Sequence, residues 1–468
     1  MRKNALLLAL LAAGPLFGPY TVAAQTPTAD QAPLTLTQIT QMAFQVSPTL
    51  TAAQQSVVQA QARVGQAQAQ RRFQITFNST ASLSGASVYQ PPPTYETFGT
   101  LQNTLTVPLP LGKRPRLAIT QAQELRGAVS AQLDSARLAL AGQAAAAYYD
   151  VLRKQALLAV AQQTLIENQR ALSDVQKRNG AGDAAQLDVL QAQVPVAAAQ
   201  AALGGAENDL AIANETLNSL LGRPLDSSLL LADIAPNALA LPYTLSQAKQ
   251  FVLERSPDLR SAEATIRADR AAVDAARLYR EPAYFLQAID IRSKDVTSFR
   301  SEDTLQAAVT LPLSDGGLGK AQVQEAEATL AGASAQAEVV RRTIISGVSA
   351  AYLTAQSRRR QVDSARTARD IAQVTYDKTT LGYRNGLFPL FQVLTARAAL
   401  TQARIAYTQA VYDAAAASTT LSTAFAGSVP TPAPAPAVPA PAPLAGTIGT
   451  SPAGTGPGRA SGGGRGGP

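Results

Sequence analysis

The chain repeats itself at long range, and that limits its fold more than any other feature. Leu34-Thr35-Leu36 and Ser47-Pro48 return as Tyr243-Thr244-Leu245 and Ser256-Pro257, a shift of 209 residues. Farther along the shift is 204: Val107-Pro108-Leu109 returns as Leu311-Pro312-Leu313, and Ala146-Ala147-Tyr148 as Ala350-Ala351-Tyr352. Gly182 with Val189-Leu190 likewise returns as Gly386 with Val393-Leu394. Solenoid repeats run about 20–50 residues. This one is far longer, so the chain holds two copies of one large unit, set side by side with pseudo-symmetry.

Each unit reads helix, hairpin, long helix, turn, helix. In the first, residues 35–72 carry a helical pattern, and Phe73, Ile75 and Phe77 then alternate with polar residues as a strand does. A second strand follows with Leu101, Asn103, Leu105, Val107 and Leu109 on one side, so the hairpin occupies about 73–110. From Arg116 to about Lys177 Ala, Gln, Leu and Arg dominate and no Pro interrupts. That is one helix of roughly 60 residues, about 90 Å long. Asn179-Gly180-Ala181-Gly182 ends it, and a return helix runs from Asp183 or Ala184 to Leu221 with Pro195 near its start. The second unit predicts a helix at 244–280, strands near 283–293 and 303–313, a long helix at 319–380 and a return helix at 389–425. The change of shift falls inside the hairpins, which places the longer loop in the first hairpin, at an exposed tip.

The remaining segments divide as follows. Residues 1–24 read as a secretory signal, with Arg2 and Lys3, the apolar run Leu6–Ala13 and a small-residue cleavage site at Val22-Ala23-Ala24. The first unit is then 25–221, a linker 222–242, and the second unit 243–426. Residues 427–468 are almost wholly Pro, Ala, Gly, Ser and Thr, a composition expected to be disordered.

Composition excludes several chemistries. Cys, His and Trp are all absent and aromatics make up 5%. Disulfides, thiol nucleophiles, the usual zinc sites and His-based acid–base catalysis are ruled out. No phosphate loop and no carboxylate pair in a compact domain is present, so neither an enzyme nor a cofactor or metal site is expected. The formal charge is +8, with Lys and Arg scattered at helical spacing, which argues against nucleic acid. Hydrophobic residues reach 46%, largely as Ala, which suits close helix packing better than a thick core.

Helices of this length imply a coiled coil or an extended helical wall. The four strands are long enough to cross a bilayer when tilted, and their alternation suits a wall between lipid and water. Four strands cannot close a barrel, and open edges are not tolerated in lipid. Two chains would give eight strands, a lumen filled by side chains; three give twelve, and a channel. Phe73, Phe77, Tyr89, Tyr95 and Phe98 in the first hairpin, and Tyr279, Tyr284, Phe285 and Phe299 around the second, suit interfacial girdles. Sheet-core packing is the other reading of these aromatics.

The layout and motifs resemble the TolC family of outer-membrane efflux and secretion channels. The resemblance rests on Leu34-Thr35-Leu36 with Ser47-Pro48 and their copy, on the Val-Pro-Leu and Leu-Pro-Leu strand ends, and on the tips Asn179–Gln193 and Gly382–Arg397. It covers about residues 34–425. It implies a mainly α fold with membrane β: a homotrimer forming a twelve-stranded barrel in the outer-membrane lipid on a long periplasmic α-helical barrel. It implies a passive conduit that docks a periplasmic adaptor and an inner-membrane pump. The alternative is a structural coiled-coil protein of the envelope without channel activity.

The resemblance also places a gate at the periplasmic mouth, formed by the tips 178–193 and 382–397. Asp188 matches a frequent acid that ties the hairpins together, and Tyr383 the aromatic before the second-tip glycine. Their hydrogen bond would be a closing latch; Asp188 as a helix-start residue is the other reading. Arg384 lies near the usual basic latch position. Gln392 and Thr395 stand where acids often occur, so an acidic, cation-selecting constriction is not expected. Gly180, Gly182, Asn385 and Gly386 are the candidates for presenting the tips to the adaptor.

Overall fold

The computed structural model describes residues 33–88, 94–233, 243–294 and 298–424. The expected signal segment 1–24 and tail 427–468 lie outside these residues, as does the linker from 234 to 242. Tyr89 and the side chains of Tyr95 and Phe98 lie outside them too.

Each half of the chain begins with two short helices rather than one. These are α1 (Leu36–Val46) and α2 (Pro48–Ala69), repeated as α5 (Leu245–Arg255) and α6 (Pro257–Arg277). The repeated motifs are helix-boundary signals. Thr35 and Gln38 form a capping box at the start of α1, and Thr244 and Gln247 form its copy at α5. Ser47 ends α1 in an extended conformation and its hydroxyl caps α2 at Leu50 N–H; Ser256 does the same for α6 at Leu259. The single helices expected at 35–72 and 244–280 are therefore broken at Pro48 and Pro257. A proline restrains its predecessor to extended backbone and suits the first turn of a new helix.

Next come β1 (Thr76–Val88) and β2 (Thr94–Leu109), then α3 (Arg114–Gly180) and α4 (Gln186–Leu220). The second half supplies β3 (Ala283–Lys294), β4 (Phe299–Thr310), α7 (Leu318–Arg384) and α8 (Leu390–Ala424). The first strand begins at Thr76, not Phe73, because its ladder with β2 ends at Thr76 opposite Thr106. The fourth lies at 299–310 rather than 303–313, ahead of Pro312, which has no N–H to extend a ladder. α3 and α7 have 67 residues each, roughly 100 Å of helix.

The strands form one antiparallel sheet in the order β1-β2-β3-β4, so the two hairpins join through β2 and β3. One face of β1, β2 and β4 is largely apolar, carrying Phe77, Leu101, Leu105, Val107, Leu305 and Val309. Leu305 is 81% exposed and Phe77 63%. The opposite face is mostly Thr, Ser, Asn and Gln, including Asn78, Thr104 and Gln306. β1 and β4 are the outer edges of this sheet.

Below the sheet the helices lie side by side. α2 and α6 flank α3, and α6 also packs on α7; toward the far end α4 packs on α3, α3 on α8 and α8 on α7. The main core gathers Ile39 and Ala43 of α1, Tyr148, Val151 and Leu152 of α3, and Leu217 of α4. Leu229 and Leu231 close it, and Leu34 bridges to Leu231. Tyr148 donates its hydroxyl to the Ala232 carbonyl, and Tyr412 of α8 donates to Asp233 at 3.2 Å. The chain after the first repeat is thus tied to both repeats. Among the described residues no helix is long and apolar enough to cross a membrane.

Candidate functional site

The far ends of the two long helix pairs carry the sequence-predicted site residues. Both turns are built alike. In the first, Asp183 N–H donates to Arg178 O at 2.8 Å and Gly182 N–H to Asn179 O at 3.0 Å. In the second, Leu387 N–H donates to Gly382 O at 2.8 Å and Gly386 N–H to Tyr383 O at 3.0 Å. This is the Schellman closure of a helix end, and it needs a left-handed residue. Gly182 has φ 85° and Gly386 φ 73°, positions that disfavour a side chain. Gly180 ends α3 and Asn385 caps α7, both exposed. Asn179 Nδ2 adds a bond to Ala184 O at 2.8 Å.

One small apolar cluster joins the two tips. Val175 of α3, Val189 and Ala192 of α4 and Leu390 of α8 are buried together, and Tyr383 and Leu394 pack against them. Arg178 lies over the Tyr383 ring at 4.8 Å from its centre, close enough for a cation–π contact. Buried Gly382 makes room for Phe388: a Cβ there would come within 2.3 Å of the ring.

Asp188 sits in the first turn of α4, where Oδ2 accepts from the Ala185 N–H at 3.3 Å. Its carboxylate thus serves the positive end of the helix. A hydrogen bond between Tyr383 and Asp188 is not among those of the described residues; within one chain Tyr383 joins the tips through packing and Arg178. Arg384 is exposed in the last turn of α7, complementing its dipole. Gln392 and Thr395 are exposed on α8, and the Thr395 hydroxyl bonds back to Phe391 O at 2.9 Å.

Above the tips lies a group of residues that the pattern of the sequence did not single out. Arg397 of α8 is only 8% exposed. It donates to Tyr376 Oη at 2.6 Å and Asn168 Oδ1 at 3.4 Å, and stacks over the Tyr376 ring. Asn168, 6% exposed, donates to the Pro195 carbonyl at 3.1 Å. Four helices therefore meet around one cation, whose Nε has no hydrogen-bond partner among the described residues. Two turns along α8, Arg404 pairs with Glu167 at 3.0 Å and bonds Gln373 at 2.9 Å. Nearer the main core, Asp413 accepts ion pairs from Arg153 at 3.2 Å and Arg358 at 3.3 Å. The legible signal was position: Arg397 falls in the stripe of Val393, Ala396 and Leu400, all buried.

Comparison with known proteins agrees with this architecture. The family model for outer membrane efflux proteins matches residues 39–223 and 249–427, one stretch in each repeat. The chain is 26% identical over 280 residues to the outer membrane efflux protein BepC of Brucella suis biovar 1, covering 59% of this chain and 60% of BepC. It is 30% identical over 292 residues to the pyoverdine export outer membrane protein OpmQ of Pseudomonas putida, covering 60% of each. The chain thus spans about three fifths of the length of the curated relatives it matches. Among solved structures, CusC superposes with a TM-score of 0.74 at 21% identity, covering 83% of this chain and 91% of CusC. VceC of Vibrio cholerae gives 0.70 at 21% identity, covering 84% and 96%. These likenesses establish the fold, and the two family matches coincide with the internal repeat. The chain belongs to the outer membrane efflux protein family.

Proposed function

We propose that the chain is the outer-membrane channel of a tripartite efflux or type I secretion system. It is a passive conduit for small molecules or proteins handed over by an inner-membrane pump through a periplasmic adaptor. One observation carries this reading: a four-stranded sheet with an apolar face and two outer edges stands on a single layer of very long helices. Unpaired edges are untenable in lipid, so copies must join edge to edge. Three copies give twelve strands and a barrel wide enough to conduct. The same count puts α4 of one copy beside α7 of the next. Both helices carry exposed apolar side chains there, such as Leu187 and Val194 on α4 and Ile371 and Val374 on α7.

In this reading the long helices form a periplasmic tunnel. The two tips form its mouth and the adaptor-docking surface, with Gly180, Gly182, Asn385 and Gly386 in the turns. Asp188, Tyr383, Arg384, Gln392 and Thr395 form the gate region. The experiment is reconstitution of the full chain into planar bilayers, with its oligomeric state measured in detergent. A trimer that produces discrete conductance steps is expected. A rod extracted without detergent that never conducts would instead favour a structural coiled-coil protein of the envelope.

A further inference from the structure

The apolar face of the sheet gives way to polar and charged residues partway along the strands. Ser79, Asn103, Asp290 and Asp303 stand opposite one another across all four strands. Ser79 Oγ donates to Asn103 Oδ1 at 2.7 Å, and Asn103 Nδ2 donates to Asp290 Oδ2 at 3.0 Å. On the helix side, the next row of this face is Phe77, Leu105, Ala288 and Leu305. On the other side β3 places Arg292 opposite Leu101 and Ser301, and Lys294 opposite Gly99 and Phe299. Asp290 Oδ1 accepts from Arg292 Nε at 3.2 Å, which steadies a side chain that is 55% exposed. An open groove of about 540 Å³ follows this gradient, apolar at Phe77, Leu105 and Leu305, polar at Asn103, Asp290 and Asp303.

Carboxylates within hydrocarbon are expensive, so this row marks the level where the hydrocarbon ends. Two cations then lie just beyond it on the face that meets lipid. We propose that the groove docks a lipid of the outer leaflet whose headgroup carries phosphate. Its acyl chain lies along Phe77, Leu105 and Leu305, and its phosphate meets Arg292 and Lys294. Asp290 orients Arg292. Asp290 and Asp303, on the hydrocarbon side of the cations, repel the phosphate from any deeper position and so set its level. This inference rests on the membrane-channel reading above.

The test uses the full chain in vesicles of an uncharged, phosphate-free glycolipid (digalactosyldiacylglycerol) containing either bisphosphorylated lipid A or the same lipid stripped of its phosphates. Lipid retained per chain after detergent extraction is measured by mass spectrometry. The wild type should retain the phosphorylated form preferentially. Arg292→Gln with Lys294→Gln should reduce that preference roughly five-fold per cation removed. The charge-conserving swap Arg292→Lys with Lys294→Arg should keep it. A wild type without preference, an unchanged preference in the glutamine variant, or equal loss in the charge-conserving variant would each overturn the proposal. A wild type that enters vesicles but shows no preference sinks only the lipid site. A wild type that never enters them sinks the channel reading, and the lipid site with it.

Discussion

Arg397 carries the most consequential residue-scale detail in the helical part. A buried guanidinium held by two neutral residues, the Asn168 amide and the Tyr376 hydroxyl and ring, with no partner for Nε among the described residues, depends on each of them. Asn168→Ala removes one acceptor and frees the Pro195 carbonyl, so it should destabilise the protein by about 1–3 kcal/mol. Arg397→Met leaves Asn168 Oδ1 and Tyr376 Oη without their donor, but it also removes the buried charge, which offsets that cost, so it should destabilise less than Asn168→Ala. Thermal unfolding followed by the helical dichroism signal separates the two outcomes; equal losses would contradict this account. Tyr148 gives a second prediction, in pH. Its burial, chiefly, with Tyr149 and Asp233 nearby, raises its pKa from 10.0 to about 12, and burial pushes Tyr149 and Tyr412 upward too. A raised tyrosine pKa means that the folded state favours the neutral phenol. The stability it contributes is fully present below pH 10 and is lost as pH rises toward about 12. Tyr148→Phe should therefore show a shallower fall in melting temperature across that window than wild type.

At the scale of elements, the two copies use the same boundary signals but different anchors. The start of α3 is capped from the other repeat: Glu281 accepts from the N–H groups of both Lys113 and Arg114. The start of α7 is capped locally, by Asp315 accepting from Gly317 and Gly319, and those backbone bonds hold its carboxyl below the ordinary carboxylate range. Gly204 and Gly205 sit inside α4, where a Cβ at either position would meet nothing within 4 Å in a single chain. Gly in a helix interior costs about 1 kcal/mol relative to Ala, so Gly204→Ala with Gly205→Ala should stabilise an isolated subunit. If the neighbouring copy packs closely on α4, the same change should weaken assembly. A lower trimer fraction by native mass spectrometry, with unchanged or higher helicity, is the expected result; an intact trimer would move the subunit interface elsewhere.

For the whole molecule, the channel reading proposed above implies a mouth that opens by separating the two tips, which Tyr383, Arg178 and the Val175–Leu390 cluster join within one chain. Asp188→Ala with Tyr383→Phe tests the latch: resting single-channel conductance should rise if a Tyr383–Asp188 bond forms in the closed trimer. Unchanged conductance would leave Asp188 as the cap of α4 alone. A change in Asp188→Ala without one in Tyr383→Phe would point to the cap loosening the turn.

Much of the architecture was legible because long helices and strands advertise their period over many residues. The 67-residue helices were visible as stretches rich in Ala, Gln, Leu and Arg, and the tip glycines as closures that only a residue without a side chain makes easily. The breaks at Pro48 and Pro257 were missed, because the helical period runs on through them, although Ser-Pro is the signal of an N-cap followed by a first-turn proline. What lay beyond the sequence was contact between distant segments. Sequence periodicity assigns a residue to a face but not to a partner, so Arg397, one charge in an apolar stripe, was not singled out. The tertiary structure placed Asn168, Tyr376 and Pro195 around it. Likewise, alternation set which side of β1, β2 and β4 is apolar. Only the cross-strand register aligned Ser79, Asn103, Asp290 and Asp303 into one row, because register is decided by pairing between strands far apart in the chain.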